Sequence, residues 1–238
     1  MTRKKGHGRP GPGGARGGHA RAGHGGRAGH GHHGPGHEHG GHGRDPHGNP
    51  ADLARYLARL DDPERAGWQR PDEVVAALGL RPGDTVGEVG AGSGYFTLRL
   101  ARAVGPEGRV LAAEVSTEIM AVLRSRLAEA QAGNVEPLLA QPEAPPFPAR
   151  SCQRILIVNT FHHFPDGAAY LRALSACLAP GGRIANVDFH ERELPVGPPP
   201  ELKISREEFL EVARQAGLVL VEERAFLPHQ YFVLLRKR

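Results

Sequence analysis

Hydrophobic and polar positions along this chain fall into two regimes. From residue 51 onward, apolar residues recur with clear periods. Leu53, Tyr56, Leu57 and Leu60 stand at helical spacing, which predicts an amphipathic helix over 51–60 that Asp61-Asp62-Pro63 breaks. Pro71 opens a second helix with Asp72 and Glu73 in its first turn, and Gly79 stops it. Strand and helix patterns then alternate. Strands are predicted at 84–89, 109–115, 135–140, 154–159 and 183–189, the fourth carrying the run Ile155-Leu156-Ile157-Val158. Helices are predicted at 95–104, from Ser116 to about 132, and from Asp166 to 178, with Ser116 and Asp166 as caps. Pro180-Gly181-Gly182 is expected to turn the chain into the fifth strand. After a Pro-rich linker at 191–203, Ser205 and Glu208 form a capping box for a helix to Ala216. Two closing strands follow, 218–226 and 231–236. Their four-residue connection is too short for a parallel crossover, so they must pair antiparallel.

Strands joined by helices favour a parallel sheet covered on both faces. The expectation is a Rossmann-like, doubly wound α/β fold, mostly parallel and seven-stranded, with an antiparallel last strand. Residues 71–238 would form that domain, and 51–70 an N-terminal helix and lid segment.

Residues 1–50 follow no period. They hold 18 of the 33 glycines and 10 of the 14 histidines, with no Val, Ile, Leu, Phe, Tyr or Trp. Such a segment has nothing to bury against its ordering entropy, so it is expected to be disordered. It also holds eight Lys/Arg against Glu38 and Asp45, a net +6, while 51–238 carries 22 basic and 24 acidic residues, a net −2. The basic character therefore belongs to the tail, and the folded part has no stripe that calls for nucleic acid. The basic start Met1-Thr-Arg-Lys-Lys5 is not followed by an apolar stretch, and only Cys152 and Cys177 are present. These features lead us to expect a cytoplasmic protein with no membrane span and no disulfide framework.

The tail histidines His30, His32, His33, His37, His39 and His42 are close-set imidazoles, candidate ligands for nickel or zinc in an adaptable site. A low-complexity solubilising tail, or Arg-Gly contacts with RNA or anionic surfaces, fit the same residues.

The most informative segment is Glu88-Val-Gly90-Ala91-Gly92-Ser-Gly94, lying directly after the first strand and opening a helix. Glycines there allow close backbone approach. A dinucleotide loop reads G-x-G-x-x-G, but the third position here is Tyr95, and no phosphate-loop lysine follows. Glu88 would repel a pyrophosphate and suits a cationic ligand. Glu114 ends the second strand, 24 residues after Gly90, where a carboxylate can accept hydrogen bonds from both hydroxyls of a ribose.

With these residues, 71–238 resembles a class I S-adenosylmethionine-dependent methyltransferase. Val86–Gly94 is similar to the family's first motif, Glu114 to its ribose-binding acid, and Leu178-Ala-Pro-Gly-Gly-Arg183 to the turn before its fifth strand. Asp61-Asp-Pro-Glu-Arg65, Trp68-Gln-Arg-Pro71, Asn159-Thr-Phe-His-His163 and Phe226-Leu-Pro-His-Gln-Tyr231 resemble a bacterial subgroup without an assigned substrate. The resemblance implies S-adenosyl-L-methionine as cofactor. Glu88 would hold its ammonium, with Gly90, Ala91, Gly92 and Gly94 at close approach. Glu114 would take the ribose, Val115 and Gln141 the adenine side, and Asn159 the methionine portion.

Methyl transfer is an in-line displacement on an activated sulfonium, and a base is needed only if the acceptor must lose a proton. Candidates at the strand ends are His162, His163 and Asp188, with His190 beside them. Trp68 and the linker 191–203 are candidate lid pieces. The acceptor is expected to be a small molecule. A rival reading is a non-catalytic module that binds S-adenosylmethionine or S-adenosylhomocysteine and carries a metal-binding tail.

Overall fold

Seven strands form one sheet in the order β3-β2-β1-β4-β5-β7-β6. The computed structural model describes residues 51–238, so the histidine-rich tail and its six candidate metal ligands lie outside the described residues. The strands are β1 Thr85–Val89, β2 Arg109–Glu114, β3 Val135–Leu139, β4 Cys152–Val158, β5 Leu178–Phe189, β6 Leu218–Arg224 and β7 Gln230–Lys237. Neighbours β1 to β5 pair parallel, and β7 pairs antiparallel with both β5 and β6. The chain runs outward from β1 to β2 and β3, then returns to lay β4 on the other side of β1. The carboxyl ends of β1 and β4 therefore flank the point where the winding reverses, which is where such sheets leave a crevice.

The helices are α1 Leu53–Leu60, α2 Arg65–Gln69, α3 Pro71–Ala77, α4 Thr97–Val104, α5 Thr117–Glu129, α6 Gly167–Cys177 and α7 Arg206–Gln215. Their starts follow local chemistry. The side chains of Ser116 and Asp166 accept from the amides of Ile119 and Ala169, and Ser205 and Glu208 cap each other reciprocally. Strand alternation sorts the core into two layers. Val86, Val110, Ala112 and Leu156 pack with α3, α4 and α5; Leu111, Ile155, Ile157 and Ile184 pack with α6 and α7.

Two expectations are corrected. The segment after Pro63 contains a short helix, α2, with Arg65 and Gln69 buried. Pro180-Gly181-Gly182 is not a turn before β5 but a bulge within it. Leu178 already pairs with Cys152, and the next pair is Arg183 with Arg154. β5 advances five residues there while β4 advances two. Gly181 has a φ of 74°, and a Cβ on Gly182 would stand 2.8 Å from the Cys152 carbonyl, so both positions exclude bulkier residues.

The linker 191–203 is fastened rather than free. Lys203 Nζ donates to the Arg192 carbonyl at 2.6 Å, and Pro200–Leu202 forms a single 3-10 turn. Trp68 packs on Phe189, their ring centroids 5.6 Å apart. Among the described residues, no helix is long and apolar enough to cross a membrane.

Phe209 of α7 is fully buried, edge-on to Phe161 at 4.7 Å. Phe161 opens the 3-10 turn Phe161–His163, so this contact seats the turn that carries the candidate histidines. Phe209→Ala should cost about 3–5 kcal/mol of stability in denaturant unfolding, the usual loss for an emptied aromatic site.

Candidate functional site

Glu88 and Glu114 stand at the carboxyl ends of β1 and β2. Glu88 pairs in register with Ala112, and Glu114 lies two residues beyond, so both side chains leave the same face of the sheet. Both are buried. The Thr97 hydroxyl donates to Glu88 at 2.6 Å. Glu114 accepts three backbone amides: Gly92 at 2.9 Å on one oxygen, Val115 at 2.9 Å and Ser116 at 3.0 Å on the other. It therefore ties the glycine loop of β1 to the start of α5.

Burial pushes the Glu88 carboxyl up to about 8; the nearby charge of Glu114 adds to the rise, while Thr97 and Arg65 oppose it. An acid raised in this way, with no ion-pair partner among the described residues, ionises when a cation binds beside it and releases its proton to solvent.

The loop between them needs its glycines. Gly90, Gly92 and Gly94 have φ of 75°, 56° and 93°. A Cβ on Gly90 would lie 2.4 Å from Thr160 Oγ1, in the loop after β4. The amides of Gly90 and Ala91 both donate to the Ala113 carbonyl at 2.9 Å, which turns the chain sharply off β1.

On the β4 side, Asn159 is held in the left-handed region at φ 52°, and its side-chain oxygen accepts from Gln230 Nε2 at 2.6 Å. Val115 is half-buried beside Glu114. Gln141 is exposed in the loop after β3, where its backbone bridges to Ala144. The Ala140 amide, donating to the Glu114 carbonyl at 2.9 Å, holds that loop beside β2.

The candidate base residues separate. His162 Nδ1 lies 3.2 Å from Asp188 Oδ2, and the other Asp188 oxygen accepts the Phe189 amide at 2.9 Å. Asp188 is 0% exposed and His162 12% by side chain. His163 is exposed, its ring 4.1 Å from that of His162, and does not join the Asp188 pair. Burial lowers His190, and Arg192 adds to the effect. Cys152 and Cys177 are buried free thiols, both pushed up by burial, as inert cysteines are. Among the described residues, no group of three or more His, Cys, Asp or Glu could hold a metal.

Several residues at this edge were assigned no role from the sequence. The Leu60 side chain approaches Gly92, at 3.2 Å from where its Cβ would be. Asp61 accepts from Ser93 at 2.9 Å and from Arg126 at 2.7 Å, bonds that hold its carboxyl below the usual range. Arg65 donates to Gln69, Gln69 to Gln230 at 3.3 Å, and Gln230 to Asn159. The segment around α2 thus closes along the carboxyl edge. The subgroup resemblance covers 61–65, 68–71 and 226–231, but gives Arg65, Gln69 and Gln230 no role.

Residues 86–182 match the family model described as a methyltransferase domain. That span starts in β1, covers the glycine loop, both acids and the candidate histidines, and ends in the β5 bulge. Over that span the chain is similar to methyltransferase domains. Its similarity extends to a solved SAM-dependent methyltransferase from Aquifex aeolicus, at 28% identity, with a TM-score of 0.73 over 76% of this chain and 96% of that one. The cyclase SpnF shares the fold at TM-score 0.61 and 17% identity, covering 73% of this chain and 82% of that one. A ubiquinone/menaquinone biosynthesis C-methyltransferase from Marinomonas sp. is 32% identical over 127 residues, 53% of this chain and 50% of the relative. Its counterpart from Teredinibacter turnerae is 34% identical over 117 residues, 49% of this chain and 47% of the relative. The chain thus spans about half the length of the curated relatives it matches.

The raised Glu88 carboxyl yields a pH signature independent of any ligand. A carboxyl raised above its unfolded value of about 4.5 makes the folded state hold a proton the unfolded state has lost. Its stabilising contribution is full below about pH 4.5 and is lost as pH rises to about 8. In urea unfolding at pH 5, 6, 7 and 8, Glu88→Gln should therefore gain on the unaltered chain as pH rises, by up to about 1.4 kcal/mol per pH unit. A difference constant across that range would contradict an elevated Glu88.

Proposed function

We propose that this chain transfers a methyl group from S-adenosyl-L-methionine to a small-molecule acceptor. The observation that carries the reading is the pair of buried acids, Glu88 and Glu114, on one face at the switch point with the glycine loop between them. A dinucleotide fold also carries an acid at the place of Glu114, but an acid like Glu88 beside the glycine loop would repel a pyrophosphate. A cationic nucleoside with an ammonium at one end is complementary to them.

Bound there, S-adenosylmethionine supplies an activated methyl group, so the chain's own residues have to position, shield and manage protons. Glu88 releases its proton to solvent and, as a carboxylate, holds the ammonium. Gly90, Ala91, Gly92 and Gly94 let the backbone come close. Glu114 already bonds three amides, so it serves the ribose with its remaining acceptor capacity while fixing the loop. Val115 packs against the adenine, Gln141 reaches its edge, and Asn159, oriented by Gln230, faces the methionine portion. His162 takes a proton from the acceptor at Nε2, because Asp188 holds Nδ1 and so sets the tautomer. The exposed His163 supports the ring of His162 from outside. We further propose that 71–238 is the catalytic unit, that the tail 1–50 is dispensable for cofactor binding, and that the protein works in the reducing cytoplasm.

In calorimetry, S-adenosylhomocysteine should bind the chain at micromolar levels and NAD should not. Glu88→Ala should remove that binding, and deletion of 1–50 should leave it within twofold. With methyl-labelled cofactor and a metabolite extract, mass spectrometry should find a labelled small molecule. His162→Ala should cut the rate of its formation by roughly 10²–10⁴, as loss of a general base does, without weakening S-adenosylhomocysteine. Binding with no labelled product from any extract would favour a module that holds the cofactor without using it.

A further inference from the structure

Arg65, the first residue of α2, is only 9% exposed. A guanidinium withdrawn from water needs its donors met and its charge balanced. Its Nε donates to the Gln69 side chain and its Nη1 to the Leu60 carbonyl at 2.7 Å. Its central carbon lies 4.1 Å from the Tyr95 ring centroid. Nη2 has no hydrogen-bond partner among the described residues, and no carboxylate lies within ion-pair distance. The arginines that do form ion pairs there, such as Arg126 with Asp61 and Arg206 with Glu223, are far more open to solvent. Tyr95, the residue that breaks the dinucleotide pattern, is the one over which this cation lies.

Glu88 is tied to the same turn, since it accepts from Thr97, two residues after the Tyr95 ring on which Arg65 lies. It too has no ion-pair partner among the described residues, and no hydrogen bond joins it to Arg65. The positive charge of Arg65 tempers the rise of Glu88. A buried acid and a buried cation at one turn, neither of them ion-paired and not bonded to each other, are complementary to a zwitterion. The ammonium goes to the acid and the carboxylate to the guanidinium fork.

We propose that Arg65 receives the carboxylate at the amino-acid end of the S-adenosyl ligand, which makes α2 a wall of the cofactor site. This inference rests on the cofactor reading above and adds a binding residue from outside the matched domain.

The test is a cycle between one side chain and one ligand group, run by calorimetry on the full chain. The probes are S-adenosylhomocysteine and its decarboxylated analogue, which keeps the nucleoside, thioether and ammonium. The unaltered chain should bind S-adenosylhomocysteine at least tenfold more tightly than the analogue. Arg65→Met should lose at least tenfold for S-adenosylhomocysteine and less than twofold for the analogue. Arg65→Lys keeps the charge but not the fork, and should shrink the ratio of the two affinities at least threefold. Equal binding of both ligands by the unaltered chain would overturn the proposal, as would equal weakening of both by Arg65→Met at an unchanged melting temperature. If Arg65→Met does not fold, an undiminished ratio in Arg65→Lys overturns it. Failure of S-adenosylhomocysteine to bind the unaltered chain would instead remove the cofactor reading beneath it.

Discussion

The arrangement at the carboxyl edge depends on one carboxylate turned toward backbone. Glu114 accepts the amides of Gly92, Val115 and Ser116. Those amides belong to the two places where the chain leaves a strand for a helix, and at both the ladder can no longer satisfy them. One buried anion serves both. It ties the glycine loop to the end of β2.

The sheet divides the labour at this edge. Glu88 and Glu114 share a face with Val86 and Ala112, the side covered by α3, α4 and α5. Asp188 sits on β5 at the parity of Ile184, which belongs to the layer under α6 and α7. Glu88 and Glu114 on one face and Asp188, beside His162, on the other are therefore separated by the sheet itself.

Most of the architecture was legible because it is local. Caps at Ser116, Asp166 and Ser205, the short link before Tyr231, and the acid–glycine spacing each report on a few neighbouring residues. What escaped is non-local. The bulge in β5 is a matter of register with β4, which Pro180-Gly181-Gly182 alone cannot reveal. α2 is five residues long, and its buried members are Arg65 and Gln69, so it shows no apolar period to read. Their partners, Gln230 and Tyr95, lie far along the chain. His162 and His163 were equivalent in sequence, and only the reach of Asp188 distinguishes them. Gln141 was assigned by position, and its exposed place in the loop leaves its contact with the ligand to the bound state.

The amide relay from Gln69 through Gln230 to Asn159 joins three stretches that are made at very different times during translation. The first belongs to α2, the last to the end of β4, and the middle one opens β7. A ribosome-bound chain can complete β1, β2 and β4, with the glycine loop in place, well before Gln230 exists. Until then neither Gln69 nor Asn159 has its tether, and closing so long a loop is slow. The edge of the sheet is therefore sealed late, by the strand nearest the carboxyl terminus, so a half-made chain has the acids of the site before it has the bond that steadies them.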